Sequence, residues 1–400
     1  MLFQYFLSLA AKILNLRHLK SELPSGMEGF YDEEKYRRAQ VYTRAQTRFS
    51  FVSGSLSLVV TLLFIFLGGF NEVDLWARGF GHGPLVTGLL FAGMLYLLST
   101  LADLPFDLYA TFCLESRFGF NKTTIKTFIL DFFKGLLLSA ILGGILLSGV
   151  LWFFMSAGDW AWLYAWLAVA AFGFFMQFLS PILILPLFNK FTPLPDGPLK
   201  TLINDYAQKE QFHIKGVYTM DGSRRSTKLN AYFTGFGKYR RIVFFDTLLS
   251  KLAPEEIMAV LAHEMGHFKL KHIWKRQLVS FFTNGLLFFL LSLFLDNPLL
   301  SKAFGMEQVS LYSGLVFFFF LYAPISFVLS IFSGIFSRRH EFAADAYSLA
   351  TYPEPLALKT ALKKLSVENL SNLTPHPLYI FLYYSHPPVH KRIKALQKLS

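Results

Sequence analysis

Charge is scarce in this chain: Asp, Glu, Lys and Arg make up 16% of its 400 residues, against about 25% in soluble globular proteins. With 54% hydrophobic residues and a mean hydropathy of +0.42, that scarcity excludes an ordinary soluble enzyme and a disordered chain alike, since neither can expose so much apolar surface. Cysteine is nearly absent. The single Cys113 rules out an intramolecular disulfide framework and any cysteine-rich metal site. No internal repeat or low-complexity tract stands out. Acidic residues are the scarcer charges, 26 against 38 basic. The net +12 calls for a nucleic-acid partner, an acidic membrane surface, or basic loops gathered on one side of a bilayer.

What is present is long apolar runs. Six approach or exceed the roughly 20 helical residues that span a hydrocarbon core: residues 51–70, 84–101, 135–157, 160–187, 277–295 and 309–336. A seventh stretch, residues 1–16, is short and interrupted by Lys12. It reads as a trimmed first span or an interfacial helix, and without a basic leader it does not read as a cleaved signal peptide. Lys plus Arg counts in the successive loops alternate between high and low, and 35 of the 38 basic residues fall in the loops assigned to one side. By the positive-inside rule that side is the cytoplasm. The charge is therefore a topology signal, and no nucleic acid is needed to explain it.

The expected architecture is a mainly α, multi-pass membrane protein: an N-terminal transmembrane region over 1–190 (the short first span plus four), a cytoplasmic segment over 191–276, a transmembrane hairpin over 277–336, and a C-terminal segment over 337–400. The two polar segments, divided only by the hairpin, read as one small α+β domain at the cytoplasmic face. Val217 to Met220, Ala231 to Thr234 and Ile242 to Phe245 have strand composition, with a turn at Gly235-Phe236-Gly237. A helix is expected from Pro254, although Ala253 is a poor N-cap.

That helix carries His263-Glu264-Met265-Gly266-His267. Imidazoles at i and i+4 share one helix face and can ligate one zinc ion, with Glu264 beside them as general base. An amphipathic helix with two solvated His fits the spacing too, but Ile257, Val260 and Leu261 surround the motif with apolar positions where uncommitted His and Glu are costly. A catalytic zinc needs a third protein ligand. Arg338-Arg339-His340-Glu341-Phe342-Ala343-Ala344-Asp345 offers Glu341, with Asp345 one turn on to accept a hydrogen bond from a ligand His. Alone, this run also fits a charged helix start at a membrane exit. His272, His340, His376 and His390 receive no metal role; the first two read as interfacial.

With these motifs in place, the chain resembles the type-I CAAX prenyl proteases, membrane-integral zinc metalloendopeptidases of the gluzincin group. The resemblance rests on the two motifs above, on Asn230-Ala231-Tyr232-Phe233-Thr234-Gly235-Phe236, on Glu368-Asn369-Leu370-Ser371, and on Ser385-His386-Pro387-Pro388 followed by Arg392. It implies about seven transmembrane helices in a barrel around an intramembrane chamber, and one zinc per chain held by His263, His267 and Glu341. It implies further that Asn230 and Ala231 lie on an edge strand that aligns substrate. His386 and Arg392 would then contact the scissile carbonyl or its oxyanion. Read bottom-up, Asn230-Ala231 fits a surface hairpin and His386 a structural turn equally well.

The implied substrate is a membrane-associated peptide or protein, lipidated in this family, met at the bilayer. The location is an integral membrane, the bacterial inner membrane or, in a eukaryote, the endoplasmic reticulum. Three other readings compete: a heat-shock-type quality-control metalloprotease, a site-2 intramembrane protease using Asp296, and a transporter or channel with a structural zinc. Asp296 lies too close after His267, and Lys269, Lys271, Lys275 and Arg276 keep the motif helix out of the membrane. A structural zinc has four protein ligands and no use for Glu264.

Overall fold

The computed structural model describes residues 1–24, 26–235 and 240–399. Helix α1 (Leu2–Arg17) precedes α2 (Glu33–Phe66), α3 (Gly69–Gly79), α4 (Pro84–Leu108), α5 (Ile125–Ser156), α6 (Ala161–Leu179) and α7 (Leu185–Phe188). Short π-helical segments, Tyr109–Glu115 and Ser180–Ile184, prolong α4 and link α6 to α7. Then come β1 (Phe191–Pro193), α8 (Pro198–Lys209), β2 (Gly216–Met220), β3 (Ala231–Thr234), β4 (Arg241–Phe245), α9 (Asp246–Leu249) and α10 (Pro254–Lys269). The chain ends with α11 (His272–Phe294), α12 (Pro298–Ala303), α13 (Leu311–Thr351), α14 (Pro355–Glu368), α15 (Pro377–Tyr383) and α16 (Val389–Leu399).

Six helical stretches are long and apolar enough to cross a membrane: Glu33–Phe66, Pro84–Glu115, Ile125–Ser156, Gly158–Phe188, His272–Phe294 and Leu311–Thr351. Each overlaps one expected apolar run over most of its length, and four are markedly longer than that run. Hydropathy sees only the part in hydrocarbon. The polar continuation stays helical where a cap supports it, as where Asp32 accepts a hydrogen bond from the Lys35 N–H at the start of α2. Helix α1 has 16 residues, about 24 Å, less than a hydrocarbon core of about 30 Å.

Helices α4, α5, α6, α11 and α13 touch in a closed circuit, each packed on the next. Their buried contacts lie toward one end, around Phe91, Leu151, Phe288 and Phe317. Along residues 128–149, 166–188 and 323–340 no residue is buried. Helices that touch their neighbours yet bury no residue along these lengths are arranged as a wall rather than a packed bundle.

At the other end the polar segments fold together. The sheet has the order β1-β2-β4-β3, with β2 and β4 parallel and both outer pairs antiparallel. Its apolar face packs on α8 and α10 through Ile203, Val217, Ile242, Phe244, Ile257, Met258 and Leu261. The weak cap at Ala253 is offset by Glu256, which accepts the Ala253 N–H at 2.8 Å and is held by Lys364 at 2.8 Å. The expected turn at residues 235–237 falls largely on residues 236–239, outside those described.

Candidate metal centre

Helices α10 and α13 meet where Gly266 leaves room. A Cβ there would stand 3.1 Å from the Ala344 Cα and 3.1 Å from the Tyr347 Cβ, so only glycine permits this approach without displacement. The contact sets His263 and His267 opposite Glu341. Nε2 of His267 lies 3.2 Å from Nε2 of His263 and 3.2 Å from Oε1 of Glu341, and Nε2 of His263 lies 3.5 Å from Oε2 of Glu341. Donors bound tetrahedrally at about 2.0–2.1 Å stand roughly 3.3 Å apart. The three donors therefore fit one small cation, and Oε2 of Glu341 is buried with no hydrogen-bond partner of its own.

The donors are held from behind. Oδ1 of Asp345 lies 2.9 Å from Nδ1 of His263, which leaves Nε2 facing the other donors. Arg392 on α16 donates from Nε at 2.8 Å and from Nη2 at 2.5 Å to the two Asp345 oxygens, and its Nη1 stands 3.3 Å from Glu341. Burial disfavours the charged guanidinium, but the hydrogen bonds and charge of Asp345 outweigh it and raise the Arg392 pKa. Burial and Arg392 likewise oppose a charged His263, yet the hydrogen bonds to Asp345 and Glu341 push its pKa up to about 9. A cation reaching Nε2 must displace that proton.

Glu264, half-buried, follows His263 on the helix, within electrostatic reach of Arg392. His386 stands on the loop before α16, with Nε2 3.4 Å from Glu341 Oε1 and its side chain 65% exposed. Ser385 Oγ is 2.9 Å from its Nδ1, and Pro387 and Pro388 are buried beside it. The structure thus groups His263, His267, Glu341, Asp345, His386 and Arg392, with Glu264 beside them. Arg392 is 7% exposed, with two of its nitrogens on Asp345 and the third beside Glu341.

Ala231 begins β3, with Asn230 just before it, and the strand pairs on one side with β4 and on the other with nothing among the described residues. The Phe245 N–H bonds to the Asn230 carbonyl, so by alternation Ala231 and Phe233 turn their backbone groups to the open edge. Asn369 on the Glu368-Asn369 motif accepts the Leu229 N–H at 2.9 Å and donates to the Leu229 carbonyl at 3.3 Å, pinning the strand's entry.

The chain is similar to known proteins along nearly its whole length. Residues 193–400 match the model of Peptidase family M48. The chain belongs to that family. Residues 12–190 match the model described as CAAX prenyl protease N-terminal, five membrane helices. A CAAX prenyl protease 1 homolog of Oryza sativa subsp. japonica is 35% identical, over 99% of this chain and 95% of the rice protein. The CAAX prenyl protease 1 of Saccharomyces cerevisiae is 34% identical over 95% of this chain and 90% of its own length. The crystal structure of S. mikatae Ste24p aligns with a TM-score of 0.94 at 32% identity, over 99% of this chain and 96% of that one. This M48 peptidase is thus a multi-pass membrane metalloendopeptidase, with a small sheet attached to a mainly helical body.

One further histidine stands beside the metal donors. His272, at the start of α11 and outside the donor set, is buried, with Nδ1 3.1 Å from Nδ1 of His267 and its ring stacked on His340 at 3.9 Å. The available signal was its spacing, five residues after His267, across the break between α10 and α11 where Lys271 takes φ 57°.

Proposed function

We propose that this M48 peptidase is a zinc endopeptidase that hydrolyses peptide bonds near the C-terminus of membrane-associated, prenylated polypeptides, with its site on the cytoplasmic face. The near-equilateral spacing of the two imidazole nitrogens and the Glu341 carboxylate, with Glu264 alongside, carries this reading. His263, His267 and Glu341 would hold zinc, one per chain, which when bound supplies a Lewis acid for the scissile carbonyl and acidifies water.

The remaining steps belong to the chain. Substrate backbone adds to the open edge of β3 through Ala231, with Asn230 beside it. Glu264 takes the proton from the attacking water and returns it to the leaving amine. His386, exposed at the mouth of the site, donates to the developing oxyanion. Arg392 acts as a positioning residue, fixing Asp345 and so the His263 ring. The segments 191–276 and 337–400 form one catalytic domain, and 1–190 with 277–336 form its membrane platform. The alternation of basic loops supports the cytoplasmic orientation.

Glu264→Gln tests this. It should retain about one zinc per chain while peptide hydrolysis falls by roughly 10²–10⁴-fold. Unchanged hydrolysis would remove Glu264 from the chemistry, and a zinc-bearing protein with no peptidase activity in the wild type would favour a structural ion.

A further inference from the structure

At the same end of the spans, away from the metal donors, a cavity of about 670 Å³ opens between the segment following α1 and the turn that begins α16. Lys20, Lys391 and Lys394 line it, against one lining acid, Glu22. All three lysines are exposed. The lysine ion pairs of the described residues involve Lys35, Lys200, Lys228, Lys251 and Lys364, and not these three. Two further lining residues, Thr374 and His390, each carry a buried polar atom with no hydrogen-bond partner, Oγ1 and Nδ1. Unpartnered buried polar atoms are uncommon in folded proteins, and here two of them belong to residues lining a cavity with an excess of positive charge.

The position matters as much as the charge. Phe3, Phe6 and Ile13 of α1 are exposed, which gives that helix a lipid-facing surface, and the cavity begins just past its last turn. Its other wall is the first turns of α16, where Lys391 and Lys394 flank Arg392. A ligand here would bridge the lipid-facing helix and the helix that braces Asp345.

We propose that this cavity binds a phosphate-bearing anion, as the headgroup of an acidic membrane lipid or as free phosphate. Basic side chains gathered at a membrane margin attract such groups, each contributing about a fivefold gain in affinity. The proposal needs no peptidase activity and stands apart from the reading of the metal centre.

The test uses the purified full chain. Its thermal unfolding midpoint is followed in one arm with inorganic phosphate against chloride at constant ionic strength. The other arm compares phosphatidylcholine vesicles with and without phosphatidylglycerol. The wild type should be stabilised in at least one arm: by phosphate alone if the source is free phosphate, by phosphatidylglycerol alone if it is the headgroup. Lys391→Gln/Lys394→Gln should require roughly 30-fold more anion for the same shift, while Lys122→Gln/Lys126→Gln, which removes equal charge elsewhere, should respond as wild type. No stabilisation in either arm overturns the proposal. So does an equal response of wild type and Lys391→Gln/Lys394→Gln, or an equal loss in the control pair.

Discussion

Asp345 serves two partners at once: one oxygen faces His263 Nδ1 at 2.9 Å, and both oxygens receive the guanidinium of Arg392. A neutral amide in its place keeps the shape and loses the charge that orients the imidazole and compensates Arg392. Asp345→Asn is expected to weaken zinc binding by roughly 10–100-fold, measured by competition with a chromogenic chelator. Affinity equal to wild type would show that Asp345 does not orient His263. At this scale much was legible in the sequence, because i,i+4 spacing on a helix fixes the relation of His263 to His267, and of Glu341 to Asp345, before any tertiary contact forms. What was not legible was partnership across elements. Nothing in the order of residues tells that Arg392 spends its charge on Asp345, and the five-residue spacing of His272 from His267 does not by itself reveal the helix break that lets the two rings meet.

Among the elements, the contact of α10 with α13 decides whether three donors converge, and Gly266 sets its closeness. Gly266→Ala places a methyl 3.1 Å from the Ala344 Cα, and because that neighbour is backbone the helices must separate. A cost of about 1–3 kcal/mol is expected from such overpacking, seen as a lowered unfolding midpoint together with weaker zinc retention. A fall in one without the other would separate packing from donor geometry. The edge strand depends on a different device. Asn369→Ala removes both hydrogen bonds to Leu229, and the resulting looseness at the start of β3 should raise KM for peptide more than it lowers kcat. Equal KM values would show that the edge of β3 is not where substrate aligns. The motif containing Asn369 was visible in the sequence, but its task was not, since Leu229 and Asn369 are 140 residues apart.

The whole molecule divides its apolar surface in two ways, packing α4, α5, α6, α11 and α13 at one end and burying no residue along the long stretches 128–149, 166–188 and 323–340. Periodicity finds apolar helices without telling lipid-facing from inward-facing residues, which is why the spans could be read from hydropathy and the wall they build could not. One feature of that wall has a mechanical side. Helix α13 runs from Leu311 to Thr351 with Phe332 and Phe336 exposed below Arg339, and Glu341 is only five residues past Phe336, about 7.5 Å along the axis. With an aromatic turn favouring lipid and an arginine turn favouring headgroups, the helix acts as a depth gauge that sets the metal donors' height above the hydrocarbon. A thicker bilayer draws the gauge downward, carrying Glu341 toward a layer where peptide and water are scarcer. Peptide hydrolysis by the reconstituted chain is therefore expected to fall as phosphatidylcholine acyl chains are lengthened and to be restored in detergent; a rate indifferent to chain length would mean that the site floats free of the membrane that carries it.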